Sequence, residues 1–568
     1  MHIHVIPNRG SPPTVLLRES FREGAKVGKR TLANLSALSA SQVNAMRALL
    51  RGEGLRPVDS IFEIERSRPH GHVQAVSMAM KQLNIASLIG GASSRERDLV
   101  LAMVAARIVE PNTKLATTRQ WHALTLAEDF GVADASEDDL YFAMDWLLER
   151  QDGIQKKLAK RHLGEGSLVL YDLSSSYFEG TTCPLAKRGH NRDGKSGKLQ
   201  VNYGLLTDVR GCPVAVCVHP GNTSDSPTFM PEVKRLREDF GIQEMVMIGD
   251  RGMISKKTIA QMRDTDGIQW ITALKSASIR VLVEQQHLQL GLFDDRNLVE
   301  IESPDYPGER LIACRNDSLV RLRAHKRESL LAATEDKLRL IQARVQAGKL
   351  KGQAKIGVTV GKVVNRHKVA KHFDLVIGEA AFSFTRKAAA IAAEAALDGL
   401  YIIRTSVPED AMDGPDCVRY YKALANVERA FRSIKTVDLN VRPIHHRLES
   451  RVRAHIFLCM LAYYVEWHIK EVWREITFAD TELDLKLTRD PVAPAQRSES
   501  AKLKAKTKLL SDGTPAHSFS SLMTDLSTIV RNTCRTPGAD TGAPNFEVLT
   551  TPTAAQTRAL DLIRSIHV

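Results

Sequence analysis

The chain moves between stretches with a helical repeat of apolar residues and short, continuously apolar runs, and these changes of texture divide it. Near the start, TVLLRES (14–20) and KRTLANL (29–35) flank the turn FREGAKVG and predict a small β piece over 1–36. From 37 to 163 apolar residues recur every three or four positions. Segments 39–52, 72–89, 93–109 and 136–162 are predicted helical, with Ser93 and Ser136 as N-caps. At Ser167 the texture switches. SLVLYDL (167–173), LQVNYGLLTD (199–208) and PVAVCVHP (213–220) read as strands, 226–240 as a helix, EMVMIGD (244–250) as a strand, 256–264 as a helix and IQWITAL (268–274) as a strand. Residues 275–415 interrupt this core. They carry strand-like VLVEQQ (281–286), a long charged helix over 317–349, a basic segment at 348–372, and strands FDLVIG (373–378) and GLYIIRT (399–405). A helix YYKALANVERAFRSIK (420–435) resumes the core, which therefore occupies 164–274 and 416–475 around an insertion at 275–415. The apolar run 455–469 is shorter than the ~20 residues of a membrane span and contains Glu466, so it reads as a buried helix. Beyond 476 Lys, Ser, Thr and Pro dominate, and 476–568 is expected to be a partly disordered tail.

The order β-β-β-α-β-α-β predicts an α/β fold: an RNase-H-like mixed sheet flanked by helices, with a β-containing insertion and a mostly helical N-terminal domain. Composition narrows the class. At 568 residues and 43% hydrophobic, the chain can fill several cores. Its formal net charge of +13 suits a polyanion such as double-stranded DNA. The helical block 37–163 is then a candidate DNA-binding domain, with a packing or dimerisation block as the alternative. Seven scattered cysteines without C-x-x-C argue against a disulfide framework or a zinc site. The start, MHIHVIPNRGSPP, lacks the order of a signal peptide, and the expectation is a cytoplasmic protein.

Candidate chemistry lies in three carboxylates. Asp172 is read as ending the first core strand and Asp250 as ending the fourth; these strands are neighbours in this topology, so the acids can converge at one sheet edge. Glu428 lies on the later helix, where Tyr421, Glu428, Arg432 and Lys435 fall on one face at helical spacing. Hard oxygen ligands suit Mg²⁺ or Mn²⁺, and two such ions can activate an attacking oxygen and stabilise the leaving oxygen of a phosphodiester. The chain resembles cut-and-paste insertion-sequence DDE transposases, whose third motif is Y-x2-R-x3-E-x6-K. Here that motif is Tyr421-KA-Leu424-ANV-Glu428-RAFRSI-Lys435, the second is VMIGDRGM with Asp250 and Gly252, and the first is the Asp of LVLYDLSSSYFEG. The resemblance implies that Asp172, Asp250 and Glu428 hold two divalent ions. It also implies that Tyr421 and Lys435 hold DNA phosphates, that element ends are cleaved and joined to target DNA, and that a homodimer works on paired ends of a bacterial element in the nucleoid. Leu424 departs from the pattern's Arg, and Arg429 or Arg432 is the expected substitute.

Two other readings compete. Gly189-HNRD-Gly194-Lys195-Ser196 matches a P-loop ATPase motif, but a strand-like segment follows it where a helix is required. The basic loop instead offers Lys187, Arg188, Arg192, Lys195 and Lys198 to DNA. A non-catalytic DNA-binding protein would carry the same charge but would have no use for three acids that repel DNA. RPIHHRLESRVRAH (442–455) is strongly basic, and Arg447, Arg451 and Arg453 are expected to face DNA. His445 and His446 read as phosphate contacts or core histidines rather than metal ligands.

Overall fold

The computed structural model describes residues 1–53, 62–288, 293, 297–535 and 545–567. It divides into two compact units. One comprises Met1–Arg68 with Val530–Thr551, the other Pro69–Ile529 with Pro552–Val568.

In the smaller unit, strands His2–Ile6, Thr14–Glu23 and Lys26–Asn34 form an antiparallel sheet. The helix Ala40–Leu50 follows, with Ser39 and Gln42 closing a capping box. A second sheet pairs Glu63–Pro69 with Val530–Arg535, and that strand with Phe546–Leu549. Residues expected in a loose tail thus return to pair with the N-terminal part of the chain. The low-complexity run's residues 536–544 lie outside the described residues.

The larger unit is built on eight strands: β1 (Ser167–Tyr177), β2 (Gln200–Asp208), β3 (Pro213–Pro220), β4 (Met245–Ile248), β5 (Ile268–Ala273), β6 (Leu298–Ile301), β7 (Arg310–Arg315) and β8 (Leu400–Thr405). Their order is β6-β7-β8-β5-β4-β1-β2-β3. β1, β2 and β3 are antiparallel neighbours, while β1-β4 and β4-β5 pair in parallel. β3-β2-β1-β4-β5 is the RNase-H-like arrangement, and β2 is buried along its whole length, as a strand covered on both faces must be. Gly204 sits at its centre because a Cβ there would lie 2.3 Å from the Tyr171 hydroxyl.

The insertion is less separate than the sequence suggests. Its strands β6, β7 and β8 extend the same sheet by antiparallel pairing beyond β5. VLVEQQ is not a strand: residues 281–284 finish the helix Ser276–Glu284. The rest of the insertion has its own core. Helices Asp317–Gln346 and Gln353–Arg366 pack on the hairpin Phe373–Ile377/Phe382–Arg386 through Leu331, Leu338, Ile356, Val360 and Phe373.

Helices cover the sheet. The predicted helix 72–89 is two, Gly71–Gln82 and Ile85–Ile89, parted where Asn84 adopts φ +51°. Arg95–Val109 is capped by Ser94 rather than Ser93, and Ser136 caps Glu137–Glu149, which Gln151–His162 follows. The run 455–469 lies within Glu449–Val472 and is buried throughout. The region after 476 also contributes order here: Ala554–Arg564 packs on Gly71–Gln82, and the Trp473 indole donates to the Ala559 carbonyl at 2.9 Å. Among the described residues no helix is long and apolar enough to cross a membrane.

Candidate active site

Register brings the first two acids together. Parallel pairing of β1 with β4 sets Leu170 opposite Ile248, so Asp172 and Asp250, each two residues further on, leave that rung side by side. Asp172 does not end its strand, as the sequence suggested. β1 runs on to Tyr177, because Ser174, Ser175 and Ser176 are buried and pair with β2; Ser176 Oγ lies 2.9 Å from the Tyr203 hydroxyl. Asp250 follows Gly249 into a tight turn, and its Oδ1 accepts from the amides of Gly252 (2.9 Å) and Met253 (2.7 Å).

The third acid arrives on a helix packed against β1. The predicted helix 420–435 is three pieces: Gly414–Lys422, Leu424–Arg432 and a π-helical turn Ser433–Val437, with a break at Ala423. Val427, Phe431 and Ile434 are buried as the apolar face, and Glu428 is exposed. Burial pushes the Asp172 carboxyl up to about 7. The Leu173 amide opposes this, the Asp250 charge adds to it, Arg192 opposes it and Glu428 adds to it. Three segments remote in sequence thus place three acids within electrostatic reach. Their oxygens do not all gather within 4.8 Å of one another. Tyr421 stands with them: burial, and then the Asp250 charge, push its hydroxyl up to about 12.

The remaining predicted residues separate into two groups. Arg432 and Arg447 are exposed. Lys435 is not: the π-helical turn buries it, and its ammonium pairs with Asp193 at 3.1 Å, a carboxylate it shares with Arg442. Arg451 lies over the Tyr141 ring at 4.3 Å, while Arg453 pairs with Glu449 at 2.7 Å and donates to the Val218 carbonyl at 2.8 Å. Arg429 is exposed and reaches Asn426 at 3.3 Å. His446 is pushed down to about 3, chiefly by burial, and packs on His455 as a core imidazole.

Residues 189–196 form a loop that enters β2, so the helix a P-loop needs is missing there. Asn191 Oδ1 accepts from the amides of Asp193 and Lys195, and Asp193 Oδ2 accepts from Tyr177 N at 2.9 Å. The loop's Arg192 pairs with Asp225 while acting on Asp172. Asp225 also neighbours Asp250: a Cβ built on Gly252 would lie 3.3 Å from Asp250 Oδ1 and 3.8 Å from Asp225 Oδ2. Sequence reasoning missed Asp193, Asp225 and Arg442. The only local signal was the Gly-rich basic loop itself.

A family model described as "Transposase DDE domain" matches residues 165–465, and one described as "IS1634 family transposase, N-terminal domain" matches residues 3–59. No curated protein matches. Among solved structures, the chain is similar to a piggyBac transposase synaptic complex with hairpin DNA, at 10% identity and TM-score 0.35, over 70% of this chain and 72% of that one. The matched span takes in β1, with Asp172, Asp250 and the helix bearing Glu428. The chain belongs to the DDE transposases of insertion sequences.

Proposed function

We propose that Asp172, Asp250 and Glu428 are the metal-binding acids of this transposase, holding two divalent ions, Mg²⁺ or Mn²⁺, during cleavage of element ends and joining to target DNA. The carrying observation is the β1-β4 register, which seats Asp172 beside Asp250 under the helix bearing Glu428. The donor set fits: it is all oxygen, and the Asp250 and Glu428 charges both act on the Asp172 carboxyl, a negative neighbourhood that suits a cation. When bound, such ions activate the attacking oxygen and stabilise the leaving one.

The chain's own groups supply the rest. Tyr421 offers a hydroxyl that stays protonated at neutral pH and donates to a phosphate oxygen beside the acids. Arg432 and Arg447 present exposed guanidinium groups for phosphates, whereas Arg451 and Arg453 reach DNA only by leaving Tyr141 and Glu449. Lys435 acts indirectly, by fixing the loop that carries Arg192. Two copies act on paired element ends.

The test is cleavage of an element-end DNA by the full chain with Mg²⁺. Asp172→Asn, Asp250→Asn and Glu428→Gln should each lower the rate by at least ~100-fold while leaving thermal stability and end binding in place. A variant that still cuts at the parental rate would remove that residue from the set.

A further inference from the structure

Away from the acids, three elements bring together a different set of ligands. His162 ends the helix Gln151–His162, Cys212 lies in the turn between β2 and β3, and His468 lies near the end of Glu449–Val472. Cys212 Sγ is 3.9 Å from His162 Nε2 and 3.9 Å from His468 Nε2, and all three atoms lie within 4.8 Å of one another. Cys212 and His468 are buried and His162 is half-buried.

We propose that His162, Cys212 and His468 form a metal site for Zn²⁺, independent of the acidic site. A thiolate and two imidazoles suit a borderline ion such as Zn²⁺ and not the hard Mg²⁺. Zn–S and Zn–N bonds of about 2.3 and 2.0–2.1 Å put sulfur and nitrogen about 3.5–3.6 Å apart in a tetrahedron, so each sulfur–nitrogen pair needs to close by only a few tenths of an ångström. A water completes the coordination. The thiol gives up its proton as the metal binds. Asp208 backs the site: its Oδ1 accepts from the Cys212 amide at 2.9 Å and its Oδ2 holds Arg210 at 2.8 Å, so a carboxylate offsets that guanidinium. The Tyr464 hydroxyl, 2.9 Å from His162 Nε2, would yield that nitrogen to the ion. The metal would tie together three elements distant in sequence. It would also brace the turn at Val209, whose carbonyl accepts from Asn426 at 2.9 Å on the helix carrying Glu428.

Co²⁺ is the probe. Added to the metal-stripped full chain, it should give a thiolate-to-metal absorption band in the near ultraviolet that saturates at one ion per chain and is displaced by Zn²⁺. Asp172→Asn should keep the band and Cys212→Ser should lose it. Zn²⁺ should raise the thermal midpoint of the parent and not of Cys212→Ser. Absence of the band in the parent chain overturns the proposal without recourse to any variant. So does a band that survives Cys212→Ser but disappears in Cys217→Ser, whose thiol lies 3.2 Å from His219 Nε2.

Discussion

Asp250 is oriented by the turn it opens, and that turn depends on a small residue. Gly252 gives its amide to Asp250 Oδ1, and a Cβ there would sit 3.3 Å from the same oxygen. The carboxylate would have to yield by a few tenths of an ångström, on a scale where a 1 Å misplacement costs ~100-fold. Gly252→Ala should therefore slow Mg²⁺-dependent cleavage by roughly tenfold and leave the thermal midpoint almost unchanged, as rate and melting curves together would reveal. Gly211→Ala should do the reverse. Gly211 has φ +90°, and its Cβ would lie 2.8 Å from the Asn426 Cβ, so a loss of about 1–3 kcal/mol in denaturant melts is expected. The two acids on the sheet were legible because each closes or punctuates a short apolar run. Asp225, Asp193 and Arg192 were not. Their roles arise where loops distant in the chain meet, and no local period encodes such a meeting.

At the scale of elements, the helical repeat found the face bearing Tyr421 and Glu428 but not the break at Ala423 or the π-helical turn after Arg432. Neither Pro nor Gly marks those places. The π-helical turn is fixed by tertiary bonds: Ser433 Oγ lies 2.6 Å from Glu466 Oε1 and 2.5 Å from Asp438 Oδ2, and Lys470 reaches Asp438 at 2.8 Å. The extra residue in the turn sends Lys435 inward to Asp193. Lys435 and Arg432, equivalent in a sequence-level reading, should behave differently. Lys435→Ala leaves the buried Asp193 carboxylate with Arg442 and the Tyr177 amide and should cost about 1–3 kcal/mol of stability, below the 3–5 kcal/mol of a fully broken buried pair. Arg432→Ala should leave melting unchanged and weaken DNA binding, with the salt slope of log K reduced by about 0.9. Filter-binding titrations at several salt concentrations, beside thermal melts, would separate the two; equal salt effects would contradict the buried pair.

For the whole molecule, the sequence made the central sheet plain and misjudged what is attached to it. β6, β7 and β8 join that sheet because edge pairing is decided by three-dimensional proximity, and the polar C-terminal region is ordered by pairing and packing with much earlier segments. The net charge of +13 fits a DNA partner, and a small set of cations and imidazoles lies inside the fold instead. Arg107 and Lys114 are buried, and so are His72 and His455. The Nδ1 atoms of both these imidazoles lack a hydrogen-bond partner among the described residues. Burial pushes His72 down to about 4 and His446 to about 3, and drives His455 well below its usual value, with Arg107 and Lys114 lowering the last two further. A depressed folded-state value means that the unfolded chain takes up the proton first. The stability these imidazoles contribute is thus complete above their ordinary value of 6.5 and is lost as pH falls from there towards 4 and 3. Each should remove about 1.4 kcal/mol per pH unit within that window, against a fold worth only ~5–15 kcal/mol. Denaturant melts should therefore show a steep fall in stability between pH 6.5 and pH 5 and little change between pH 7 and pH 8. His72→Gln, which keeps the shape without the titration, should flatten the fall by about one imidazole's share. A stability that stays level down to pH 5 would mean that these sites admit the proton in the folded state, and that the buried cations beside them are screened by something other than protein.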